Sequence, residues 1–166
     1  MSDGEDEFDP DKFFATYRDV LSSHDPFIQA VLNAHLDVEA HLGEFLEQLV
    51  FHPVDLNNAG LRYLSKVYLA RSFVQLGRSR PDWRIMIELN AIRNKIAHRN
   101  YRQALTVELK KLREIMRDLG AEEFKNTIRT CGSTELIVNA ALVCTGYLTH
   151  LTDQVKQMHG KEISDE

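Results

Sequence analysis

Cysteine, proline and glycine are all scarce in this sequence, and each scarcity removes a class of protein. The two cysteines, Cys131 and Cys144, stand far apart in no metal-ligand spacing. That excludes a disulfide-built scaffold and a zinc module, and it fits a reduced, cytoplasmic setting. Four prolines and eight glycines in 166 residues leave long apolar-periodic stretches unbroken, so the expected fold is all-α. No apolar run is long enough to span a bilayer, and the start has no signal-peptide pattern, so no membrane partner is expected. A glycine-rich phosphate loop, a Gly-x-Ser-x-Gly elbow and a Cys-x-x-Cys pair are missing too. ATPase, serine-hydrolase and zinc-site chemistries are set aside with them.

Acidic residues outnumber basic ones, for a net charge of −5, but the balance is uneven. Residues 62–117 hold fourteen Lys or Arg against four acids, a net of +10, which leaves −15 in the remainder. A basic middle third in an acidic protein is what an anion-binding face looks like; ordinary solvated helix faces would give the same count. Residues 1–10 form an acidic tail, expected to be disordered, that aids solubility or competes with nucleic acid for the basic face. Residues 11–166 are expected to be a single domain.

The expected elements are helices over residues 11–22, 26–51, 61–76, 81 to about 98–101, 106–119, 121–130 and 133–158. Together they make an antiparallel up-and-down bundle of about five to seven helices. Asp25 before Pro26 is a cap-then-proline start. His52-Pro53 ends the long helix, and residues 55–60 read as a loop. Ser79 is the expected cap of the helix beginning at Pro81, with Asp82 at its third position. The run Ala140-Ala141-Leu142-Val143-Cys144 is apolar nearly all round and is expected inside the bundle.

The helix from Pro81 divides into three faces at 100° per residue. Ile85, Leu89, Ile92 and Ile96 fall within roughly 60° and form the core stripe. Arg84, Glu88, Lys95 and Arg99 form a charged, solvated side. The third face starts with Trp83, Met86 and Ile87 and ends with Asn90, Arg93, Asn94, Ala97 and His98. Such a face is covered by another part of the chain or pairs with a second copy. On the second reading Trp83, Met86, Ile87, Asn90 and the small Ala97 form a two-fold interface, and the two polar clusters build a composite site. Arg93 can hold a phosphate and His98 can move a proton near neutral pH, which suits RNA chemistry. The plainer reading is an Arg and a His that cap helix ends or pair with nearby acids.

Arg93, Asn94 and His98 resemble the Arg-polar-x3-His motif of the HEPN superfamily, small helical bundles with ribonuclease members. Residues 27–100 also resemble the mannitol-repressor-like branch, through Leu36-Asp37-Val38-Glu39-Ala40-His41-Leu42, Leu61-Arg62-Tyr63-Leu64-Ser65-Lys66-Val67-Tyr68-Leu69 and the Ile92-Arg93-Asn94 helix. The resemblance covers under half of the chain. It implies a homodimeric endoribonuclease that needs no metal or other cofactor, a toxin or phage-defence effector with RNA as substrate and an antitoxin or regulatory protein as partner. His98 would deprotonate the ribose 2′-hydroxyl or protonate the leaving 5′-oxygen, Arg93 would bind the scissile phosphate, and Asn94 would orient either. Products would be a 2′,3′-cyclic phosphate and a 5′-hydroxyl, and DNA would be spared. Arg84, Lys95, Arg99 and Arg102 are the candidate contacts to the RNA backbone. Two departures bear on this reading. Toxin members that are controlled by tyrosine modification carry the tyrosine two residues after the histidine, where this chain has Asn100, with Tyr101 next. Many mannitol-repressor-like proteins lack the Arg–His pair and act as regulators through protein contacts, which is the competing reading. A third is a module that holds a nucleotide without cleaving it.

His35-x-Asp37-x-Glu39-x-His41 imitates a metal site, but a helix puts His35 and Glu39 on one face and Asp37 and His41 on the other. No metal is expected there. His35 and Glu39 instead fall within the apolar stripe of Ile28, Val31, Leu32, Leu42, Leu46 and Leu49. A carboxylate so placed needs a partner. Glu39 is therefore expected to hold an arginine, with Arg93, Arg62 and Arg71 as candidates. His24, His52, His150 and His159 have no partner spacing and read as surface or helix-end residues.

Overall fold

The computed structural model describes residues 25–74, 79–97 and 101–162. Within them lie seven helices and no strand, an all-α helical bundle. They are α1 (Pro26–Glu47), α2 (Pro53–Asn58), α3 (Tyr63–Phe73), α4 (Pro81–Ile96), α5 (Tyr101–Arg117), α6 (Glu122–Thr130) and α7 (Ser133–Glu162). The expected helix over residues 11–22 and the acidic tail lie outside the described residues, as do His98, Arg99 and Asn100. None of the described helices is long and apolar enough to cross a membrane.

Local chemistry accounts for the helix ends. Asp25 caps α1, its carboxylate accepting from the Phe27 N–H at 3.0 Å while Pro26 takes the first helical position. The loop expected over residues 55–60 is largely helix. Pro53 presets the first turn of α2, which runs to Asn58 before Gly60, at φ 60°, leads the chain away. Asn57 then donates to Glu47 at 3.0 Å, tying α2 back to the end of α1. The cap of α4 is Arg80, not Ser79, because Pro81 at the first position makes the residue before it the cap. Arg80 contributes no side-chain cap; its Nε donates to Asp82 at 2.8 Å, and its guanidinium lies 4.5 Å from the Tyr147 ring centre. After α5, Gly120 takes φ 72°, and a Cβ there would press on the Phe124 ring at 3.2 Å.

The helix α4 packs against α1, α3, α5 and α7, and α1 and α7 share the largest contact. Trp83, Ile85, Met86, Leu89 and Ile92 are all buried, and Ile96 is half-buried. The core stripe expected for this helix is present, but it is only part of what is enclosed. Trp83 and Met86 have no exposure at all: the Trp83 ring meets Tyr147 edge-on at 5.4 Å, and the Tyr63 hydroxyl donates to the Met86 carbonyl at 3.2 Å. Asn90 is buried as well, and Ile87 is half-buried against the core. The expected interface of Trp83, Met86, Ile87, Asn90 and Ala97 is therefore corrected. Other helices of the same chain cover the first turns of this face, and of these five residues only Ala97 stays exposed.

Two further expectations change for the same reason, the number of neighbours each helix has. The charged side of α4 is not simply solvated, because α5 lies beside it: Lys95 sits 3.8 Å from Glu108, and Glu88 is half-buried among Arg84, Lys111 and Ile115. In α7, Ala140 and Cys144 are buried, but Leu142 is 64% exposed. It stands roughly 200° around the helix from Ala140, on the rim of an open groove between α7 and α1.

Glu88 has one carboxylate oxygen buried without a hydrogen-bond partner. Burial raises its carboxyl above the usual 4.5, and Glu108 adds to this, against the pull of Lys111 and Arg84. A carboxyl raised on folding weakens the fold above its folded pKa and ceases to do so as the pH falls towards 4.5. Glu88→Gln is expected to raise Tm by about 2 °C at neutral pH, and the gain to shrink on acidification, as read by thermal melts across that range.

Candidate functional site

The last turn of α4 carries the surviving half of the motif. Arg93 and Asn94 are both exposed, and the Arg93 guanidinium donates to the Asn94 side-chain oxygen at 3.1 Å. Ala97 ends the helix in αR geometry. His98 follows it outside the described residues, so its distance to Arg93 is not part of the geometry.

One turn before Arg93, Asn90 opens a polar seam that runs inward between α1, α3 and α4. His35 on α1 donates from Nε2 to the Asn90 oxygen at 3.4 Å, and the Tyr63 ring from α3 stacks on the imidazole at 4.1 Å and 26°. On its other side, His35 Nδ1 lies 3.9 Å from Glu39, which Lys66 holds at 3.0 Å. Burial lowers the His35 pKa below 6.5, and the positive field of Arg93 helps; the Asn90 hydrogen bond and Glu39 work the other way. The seam thus links a buried, neutral-leaning imidazole to the exposed guanidinium through one turn of α4.

Glu39 was expected to hold an arginine; its carboxylate instead pairs with Lys66. Tyr63 and Lys66 were not singled out from sequence. The only signal was their spacing of three residues on α3, which sets both towards α1.

The two other expected RNA contacts whose side chains are described do not gather around Arg93. Lys95 is roughly 200° away around α4 and faces Glu108. Arg84 lies about 13 Å earlier along the axis and on the opposite side, where it borders a separate cavity of about 370 Å³ with Glu88, Lys111 and Asp118. Arg99 is outside the described residues, and Arg102 falls in the first turn of α5, where the backbone alone is described. Part of the basic surplus is engaged internally: Arg113 donates to the Ile128 carbonyl and, at 3.0 Å, to the Cys131 carbonyl at the end of α6.

Because His35 binds a proton less readily when folded, its contribution to stability is whole above 6.5 and is lost as the pH falls below that value. His35→Leu is expected to flatten this acid-side slope. It should also cost about 1–3 kcal/mol near neutrality by leaving Asn90 unpaired. Urea unfolding of both proteins between about pH 7.5 and about pH 5.5 checks both effects.

Compared with protein-family models, curated proteins and solved structures, the chain matches none.

Proposed function

We propose that this protein is a HEPN-type, metal-independent endoribonuclease, a cytoplasmic toxin or phage-defence effector that acts as a homodimer. The observation that supports this reading best is the exposed, mutually hydrogen-bonded Arg93 and Asn94 in the last turn of α4, immediately before His98 in sequence. A guanidinium so exposed is open to a phosphate, and a histidine four residues beyond Asn94 can reach the same substrate.

In this mechanism His98 takes the proton of the ribose 2′-hydroxyl, and the 2′-oxygen attacks the phosphorus. The bond to the 5′-oxygen breaks, and that oxygen takes up the proton His98 has received, giving a 2′,3′-cyclic phosphate and a 5′-hydroxyl and restoring the neutral imidazole. Arg93 holds the phosphate and balances the charge that builds on its oxygens, while Asn94 fixes the guanidinium. With Trp83, Met86 and Asn90 enclosed by the chain, contact between two copies falls to the last turn, around Arg93, Asn94 and Ala97. An antitoxin or regulatory protein would bind over the same turn.

One observation favours the second reading, a non-catalytic regulator or adaptor of the mannitol-repressor-like kind. Lys95 and Arg84 point away from Arg93, so these two expected contacts do not share a surface with it.

The deciding assay incubates wild type, Arg93→Ala and His98→Ala with total RNA in EDTA and maps the product ends. His98→Ala is expected to slow cleavage by about 10²–10⁴-fold and Arg93→Ala by about 10²–10³-fold, with cyclic phosphate ends from wild type. Intact RNA with all three folded proteins overturns the ribonuclease in favour of the regulator.

A further inference from the structure

Away from Arg93, α1 and α7 leave an open apolar groove of about 390 Å³. Pro26, Ala30 and Ala34 form one wall, and Val138, Ala141 and Leu142 form the other. The alanines make it concave, while Val138 at 46% and Leu142 at 64% exposure stand uncovered on its rim. Gln29, Asn33 and Asp37 interrupt the α1 wall, and the exposed apolar rim of Val138 and Leu142 calls for an occupant.

We propose that the occupant is residues 11–22 of this same chain, folded as a helix and laid antiparallel along the first half of α1. The sequence Asp11-Lys12-Phe13-Phe14-Ala15-Thr16-Tyr17-Arg18-Asp19-Val20-Leu21-Ser22 has the pattern such a seat requires. At 100° per residue Phe13, Phe14, Tyr17, Val20 and Leu21 fall within roughly 120°, and every charged residue lies outside that arc. A helix this short is marginal in water, so it needs a surface for those five side chains.

Three relations identify this groove as the surface. The segment is joined to α1 through residues 23–25 alone, and Pro26, the next residue, is itself in the groove wall. So short a connection favours antiparallel packing of consecutive helices and holds the segment at a high effective concentration. The lengths agree: twelve helical residues span about 18 Å, the length of residues 26–37 that line the groove. Charge agrees as well, because the antiparallel register brings Lys12 level with Asp37 at the far end of the groove. This inference does not depend on the ribonuclease reading.

Hydrogen exchange on the full chain, as wild type, Phe14→Ser and Leu142→Asp, tests it, with native mass recorded in parallel. Wild type is expected to protect residues 13–21, and both substitutions to remove that protection while the α4 core stays protected. Leu142 is exposed, so its replacement leaves the core packed, and retained protection of residues 83–92 verifies that. Residues 13–21 unprotected in wild type, or protected equally in Leu142→Asp, would overturn the proposal. A dimer that Leu142→Asp dissociates, with residues 13–21 unprotected throughout, would overturn it in favour of a second copy as the occupant.

Discussion

The burial of the first three turns of α4 holds the rest of the molecule in register. Trp83, Ile85, Met86, Leu89 and Ile92 are all buried on one short helix, which packs against α1, α3, α5 and α7. Enclosing such side chains stabilises the fold by about 2 kcal/mol apiece, so α4 is secured from all sides at once. Its last turn leaves the core still attached to that anchored post. Arg93 and Asn94 therefore project from a rigid base rather than from a loop, and their position is set by the packing of Trp83 and Met86 two to three turns away.

The seam of His35, Tyr63, Asn90, Glu39 and Lys66 has a different character. It places polar groups where α1, α3 and α4 meet, and most of them find a partner. Apolar contacts would tolerate sliding of one helix along another. A hydrogen bond from His35 to Asn90 and an ion pair between Glu39 and Lys66 tolerate it less, since a shift would leave these groups desolvated and unpaired. The seam fixes the axial register of the three helices, and with it the level at which Arg93 emerges.

How much of this was legible depended on whether a residue's role is local. Asp25 with Pro26 is a local signal, and the start of α1 follows it. The stripe of Ile85, Leu89 and Ile92 is local to one helix and is buried as its spacing implies. Periodicity divides a helix into faces but does not say how many of them have neighbours. Periodicity puts Trp83 and Met86 on a face that another part of the chain or a second copy would cover, and α3 and α7 of the same chain cover it. Leu142 is the converse, an apolar residue in an apolar run that ends up exposed, because α7 and α1 leave a groove open where it stands. Lys66 was invisible as the partner of Glu39 because the pair spans 27 residues and two helices, and several cations in the basic stretch had equal claim.

The end of α4 at which Arg93 sits has an electrostatic consequence. A helix carries roughly half a negative charge at its carboxyl terminus, from the last carbonyls that no N–H within it can reach. Those carbonyls favour the Arg93 cation and oppose any phosphate that approaches it. Sites that retain anions use the other end of a helix, where free N–H groups point outward. An anion held by Arg93 is thus attracted by the side chain and repelled by the backbone beneath it. An anion met at this turn would be held loosely and released readily.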